Sequence, residues 1–87
     1  MIFSICSVEQ ERKNYILKLF GEHLKKIRNT KNISLRKLEQ LAEVDHSQIH
    51  RIEKGETAPS LTTLISIAEG LKISLKELIE YEGSDSV

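Results

Sequence analysis

The stretch from Ser34 to Gly55, SLRKLEQLAEVDHSQIHRIEKG, constrains the fold more than any other part of the chain. Two helical patterns of about two turns each stand so close together that only a tight turn fits between them. Ser34 is placed to cap the first, which carries Leu35, Leu38, Leu41 and Ala42. Glu43, Val44 and Asp45 form the turn. Asp45, with Gln48 three residues on, has the capping-box spacing and starts the second helix, which stops at Gly55. On that helix Ile49 and Ile52 share one side, while His46, Ser47, Gln48, His50 and Arg51 are left pointing outward. A helix this short cannot stand alone, so the segment requires partners for its apolar seam.

The flanks supply them. Ser7, with Gln10 three residues on, can cap a helix that runs to about Lys31, and Ile16, Phe20, Leu24 and Ile27 fall four, four and three apart within it. Gly21 interrupts this run and marks a kink or a boundary between two helices. Lys25, Lys26, Arg28 and Lys31 crowd the end, where the helix dipole favours cations, and Asn32 suits a left-handed stop. Residues 1–7 read as a loose arm. Beyond Gly55 the loop ETAP leads to Ser60, cap of a fourth helix bearing Leu61, Leu64, Ile65, Ala68 and Leu71. Ser74 caps a fifth, with Leu75, Leu78 and Ile79 apolar and Glu77 in the capping-box position. The expected fold is all-α, with five helices, or six if Gly21 divides the first. Residues 1–15 form an arm or extra helical turns, 16–81 the domain with its motif at 34–55, and 82–87 a flexible tail.

Eighty-seven residues make one domain, near the size at which a single core suffices. Trp is absent and the aromatics are Phe3, Tyr15, Phe20 and Tyr81, so aliphatic side chains must build that core. The lone Cys6 excludes an intramolecular disulfide and a multi-cysteine metal site. MIFSIC is short, lacks a basic lead and is followed by charges, which does not suit a signal peptide. No segment approaches the roughly 20 apolar residues that span a bilayer. A cytoplasmic location is expected, with no membrane partner.

The formal net charge is zero, yet its distribution is polarised. Residues 1–54 hold eleven Lys/Arg against seven Asp/Glu, a balance of +4, and residues 55–87 hold two against six, a balance of −4. The basic half contains the opening motif. His46, Ser47, Gln48, His50 and Arg51 form the mix that a helix needs to touch base edges in a major groove, with Arg51 suited to guanine O6 and N7. His46 and His50 stand four apart, a chelating spacing, but no third ligand is placed to complete a metal site. No Ser/His/Asp pattern, paired carboxylates or Gly-rich phosphate loop is legible. Neither an enzyme nor a cofactor is expected.

From Phe20 to Leu78 the chain resembles the Cro/phage-repressor, or XRE, type of helix-turn-helix domain. The motifs that carry the likeness are FGEHLKKIRNTKNIS, VDHSQIHRIEKG and PSLTTLISIAEGLKISLKEL. The resemblance implies a compact five-helix, lambda-repressor-like domain, here with an N-terminal extension, that binds double-stranded operator DNA as a homodimer. It further implies phosphate contacts at the start of the fourth helix, from Ser60, Thr62 and Thr63, with Lys37, Lys54 and Thr57 as companions. Arg28 and Glu53 match a family ion pair beneath the motif, a structural role. Leu71, Ile73, Leu75, Leu78, Ile79 and Tyr81 exceed the obvious needs of the core and are candidates for the two-fold interface; the alternative is an exchange of the N-terminal arm through Ile2, Phe3, Ile5 and Val8. Three positions depart from the family pattern: Leu35 replaces a phosphate-binding Gln, Glu39 a packed Ala, and Glu43 the Gly of the turn. Glu39 then needs a rim position or a partner, and Glu43 a left-handed backbone.

The function expected is sequence-specific transcriptional regulation at a palindromic operator, by a repressor without a ligand domain. Phage repressors and restriction–modification controllers are such self-contained switches. The alternative is an antitoxin-like interaction module with DNA binding secondary.

Overall fold

The computed structural model describes residues 2–80, with side chains from residue 10 onward. Five helices follow one another: α1 (Ile2–Thr30), α2 (Leu35–Ala42), α3 (His46–Glu53), α4 (Leu61–Leu71) and α5 (Leu75–Ile79). Two expectations about α1 are corrected. Its helix begins at Ile2, so Ser7 lies inside it rather than at its cap, and the stretch before Ser7 is not a loose arm. Residues 2–20 contain neither Pro nor Gly, so nothing in the backbone chemistry stops the helix there. Gly21 does not divide it either. The role of Gly21 lies in packing: a Cβ there would sit 2.5 Å from the Ile52 carbonyl oxygen and collide with the Glu53 carbonyl as well. The residue lets the end of α3 press against α1.

Each later helix begins where a short polar side chain can satisfy a free N–H. Ser34 accepts from Lys37 N–H at 3.0 Å, Ser60 from Thr63 N–H at 3.2 Å and Ser74 from Glu77 N–H at 3.1 Å. Asp45 caps α3 through Ser47 N–H at 2.8 Å, one residue earlier than a capping box to Gln48 would place the contact. α1 gives way to a left-handed residue at Asn32, φ 56°. α2 stops on Glu43 in the same conformation, φ 58° and ψ 37°.

That conformation is the one the missing turn glycine implies. A side chain in the left-handed region costs about 1–2 kcal/mol, whereas Gly occupies it freely. Gly also loses more entropy on folding, which offsets part of the gain. Glu43→Gly is therefore expected to stabilise the domain by about 1 kcal/mol, read as a higher urea midpoint at unchanged slope. A lower midpoint would show that the Glu43 side chain supplies more than the backbone strain costs.

The core is aliphatic, as the composition requires. Leu24, Leu38, Ile49, Ile52, Ile67, Leu71 and Leu78 are fully buried, and Phe20, Ala42, Val44 and Ala68 join them. All five helices contribute, and Val44 comes from the turn between α2 and α3. Burying each large aliphatic side chain contributes about 1.5–3 kcal/mol before entropy. α1 packs on α3, and α2 packs on α3 and α4. α2 and α4 meet closely at Gly70, where a Cβ would lie 2.9 Å from Ala42 Cβ. Among the described residues, no helix is long and apolar enough to cross a membrane.

Two of the expected interface residues belong to this core. Leu71 and Leu78 are 1% and 0% exposed within the single chain, because they close the space between α4, α5 and the rest of the domain. They are unavailable to a second copy. Ile73 and Leu75 are half-buried against the same cluster, Ile79 is exposed, and Tyr81 lies outside the described residues. Ile2, Phe3, Ile5 and Val8 lie within α1, but their side chains too are outside the described set.

Candidate nucleic-acid interface

The two sides of α3 do different work. Ile49 and Ile52 are buried beneath it, and Glu53 is buried with them. Glu53 takes a two-pronged bond from Arg28 of α1: Nε donates to Oε2 at 2.7 Å and NH2 donates to Oε1 at 3.0 Å. The third arm of the guanidinium, NH1, donates to the Ile33 carbonyl at 2.9 Å. One guanidinium thus ties together α1, the loop before α2, and α3. Planar bidentate pairing fixes orientation as well as distance. No buried side-chain nitrogen or oxygen lacks a hydrogen-bond partner among the described residues, those of this pair included.

On the outer side Ser47, Gln48, His50 and Arg51 are exposed. Ser47, Gln48 and Arg51 line a shallow groove of about 380 Å³ together with Asp45 and Thr57. Thr57 comes from the loop between α3 and α4, where Gly55 makes the turn at φ 76° and rests on the α1 backbone at Leu17 and Lys18. The structure therefore joins four residues singled out from the sequence on one open polar surface. Asp45 is an addition, and its carboxylate is already engaged as the cap of α3.

His46 stands apart from this set. It is half-buried, and Glu39 of α2 holds it twice, through its N–H at 3.1 Å and its ring Nδ1 at 3.2 Å. Asp45 Oδ1 lies 3.7 Å from the same ring nitrogen. Glu39 has found the partner its departure from the family pattern demanded, and it braces α2 against the first turn of α3. The His46 N–H holds the Glu39 carboxyl below its ordinary value, and the Ser47 N–H does the same for Asp45. Lowered carboxyl values favour the folded state near neutral pH. That contribution begins to fade below the ordinary 4.5 for Glu39 and 3.8 for Asp45, as protons return. Glu39, Asp45 and His46 bring three potential metal ligands within 4.8 Å of one another, a set the His46–His50 spacing did not suggest. Their hydrogen bonds account for the arrangement as a brace.

The expected phosphate contacts are spread around this surface. Lys37 and Lys54 are exposed, and Lys54 Nζ is 4.0 Å from a Glu56 carboxylate oxygen. At the start of α4 the Ser60 hydroxyl is occupied in capping and lies within 3.1 Å of the Thr62 hydroxyl and 2.9 Å of that of Thr63. The N–H groups of Leu61 and Thr62 have no intrahelical acceptor by construction, so the helix start retains donors for an anion. On the far side of α4, Leu61 is 63% and Ile65 41% exposed. Their i, i+4 spacing lines them up beside the buried Ala68, as an apolar edge that the core does not cover.

Comparison with known proteins agrees with this geometry. A helix-turn-helix family model, HTH_3, matches residues 24–78. The control protein C.SmaI of Serratia marcescens is 28% identical over 68 residues, which are 78% of this chain and 81% of that protein. The crystal structure of the restriction–modification controller protein C.AhdI from Aeromonas hydrophila superposes with a TM-score of 0.70 at 32% identity, covering 71% of this chain and 94% of that one. An HTH_3 family transcriptional regulator from Vibrio cholerae gives 0.73 at 30% identity, over 76% of this chain but only 37% of its own. With the braced helix, its exposed polar side and a family match across all five helices, the chain belongs to the HTH_3 helix-turn-helix family, the XRE type of DNA-binding transcriptional regulators.

Proposed function

We propose that the protein is a homodimeric repressor that reads a palindromic operator in the major groove, a regulator of the restriction–modification controller kind. The observation that carries this reading is the exposed groove of Ser47, Gln48, Arg51 and Thr57 on a helix whose opposite side is fixed by the Arg28–Glu53 pair. Ser47 and Gln48 at the start of α3 meet bases or adjacent phosphates, and Arg51 one turn on pairs with guanine. His50 lies at the edge of the reading surface. His46 positions the helix start. Lys37, Lys54, Thr57 and the first turn of α4, at Ser60, Thr62 and Thr63, grip the backbone on either side.

The second copy docks on the apolar surface left over by the monomer. Ile79 on α5 and Leu61 and Ile65 on α4 supply it, with Ile73 and Leu75 at the margin. A two-fold axis there sets the two α3 helices about 34–36 Å apart, one helical turn of DNA.

Arg51→Ala tests the assignment of the base-reading helix. Specific binding is expected to weaken by about 1–3 kcal/mol, with preference relaxed at one base position in each half-site. Stability should change little, because the side chain is exposed. An unchanged footprint and affinity would remove Arg51 from the reading set.

A further inference from the structure

We propose that Arg12 and Lys13, on the N-terminal extension of α1, form an accessory phosphate-binding surface that carries the DNA contact beyond the half-site read by α3. The proposal rests on the DNA-reading role of α3. It concerns a part of the chain outside the family match, which begins only at residue 24.

Three placements bring this surface to the DNA side. Gly55 seats the loop after α3 on the α1 backbone at Leu17 and Lys18. One turn earlier on α1, Arg12 and Lys13 line a shallow groove of about 280 Å³ with Ile16, Leu17 and Ala58. Ala58 directly follows Thr57, which lines the reading groove with Ser47, Gln48 and Arg51. The two grooves are thus lined by consecutive residues of a single loop.

The chemistry of the second groove fits a nucleic-acid strand. Both cations are exposed, and residues 10–18 carry Arg12, Lys13 and Lys18 against the single acid Glu11. Glu56, the acidic residue beside Thr57, has its carboxylate 4.0 Å from Lys54 Nζ. The floor between the cations is apolar, from Ile16, Leu17 and Ala58. A sugar–phosphate strand alternates anionic phosphate with less polar sugar, the same alternation in complement. Backbone contacts of this kind add affinity without base preference.

The test uses the full chain and two duplexes. One ends at the outer edges of the selected operator; the other extends it by about one helical turn on each side. On the extended duplex, Arg12→Ala with Lys13→Ala should flatten the slope of log affinity against log salt by about 4, because each of the two protomers loses two phosphate contacts. Between 50 and 200 mM salt the double variant then loses about a hundredfold less affinity than the wild type. On the short duplex the two proteins should bind alike. Equal slopes on the extended duplex overturn the proposal, as does an equal loss on both duplexes, which would place the two cations over the half-site itself. Arg51→Ala, run in parallel, separates the two claims. If it weakens binding while the double variant matches the wild type throughout, only the accessory surface falls; if it has no effect, the reading of α3 falls too. Should an acidic protein occupy the groove instead, the double variant would leave every DNA measurement unchanged and so contradict the proposal.

Discussion

Replacing Glu53 with alanine, on the buried side of α3, is expected to cost about 3–5 kcal/mol of folding stability. The side chains of Arg28 and Glu53 are 10% and 3% exposed, so truncation leaves a guanidinium buried against an apolar gap with only the Ile33 carbonyl for company. Domains of this kind hold about 5–15 kcal/mol in all, so the loss consumes about a fifth of the total or more. Arg28→Ala should cost a similar amount by stranding the carboxylate. The two losses should not add: removing both charges, as in Arg28→Met with Glu53→Leu, leaves nothing unpaired and should cost much less than the sum. Urea denaturation of the four proteins measures this directly. A single-variant loss under about 1 kcal/mol would mean that the pair is dispensable and that α3 is oriented by packing alone.

Gly21→Ala should destabilise the domain by about 1–2 kcal/mol net, although helix propensity argues for the opposite sign. Ala is better than Gly inside a helix by about 1 kcal/mol. Against this, the new methyl would meet backbone, with the Ile52 carbonyl oxygen 2.5 Å and the Glu53 carbonyl carbon 2.8 Å away, and backbone cannot rotate aside as a side chain can. Overpacking of this kind costs about 1–3 kcal/mol and sometimes more, so the collision outweighs the propensity gain. Relief requires α3 to slide away from α1, and that shift passes straight to the reading side. The variant should therefore also bind DNA more weakly than its stability loss alone explains, at temperatures where it remains folded. A stability gain of about 1 kcal/mol would show that the contact between α1 and α3 is looser than the structure places it.

Much of this molecule was legible in its sequence, for reasons that local chemistry explains. Ser34, Asp45, Ser60 and Ser74 marked the four later helix starts because a capping oxygen three or fewer residues ahead of an apolar run has few other uses. Asn32 and Glu43 gave the left-handed stops. The opposed sides of α3 followed from its 3.6-residue period, and the place of Glu53 beneath it from the family ion pair. What failed was whatever depends on the third dimension. A glycine that permits a close helix contact looks, in sequence, like a break, and Gly21 was read as one. Leu71 and Leu78 looked like leftover apolar surface and are core, because the spacing of apolar residues on α4 and α5 does not say which of them the other helices cover. His46 looked like its outward neighbours until α2 brought Glu39 to it, a contact seven residues apart that no helical spacing encodes.

The central claim is that α3 reads a defined DNA sequence from a two-fold symmetric dimer. Selection of bound sequences from a pool of random duplexes tests it most directly. The account predicts enrichment of a palindrome whose half-sites lie about one helical turn apart, centre to centre, with a guanine whose preference vanishes in Arg51→Ala. Enrichment of no sequence, or of an asymmetric site indifferent to Arg51, would contradict it.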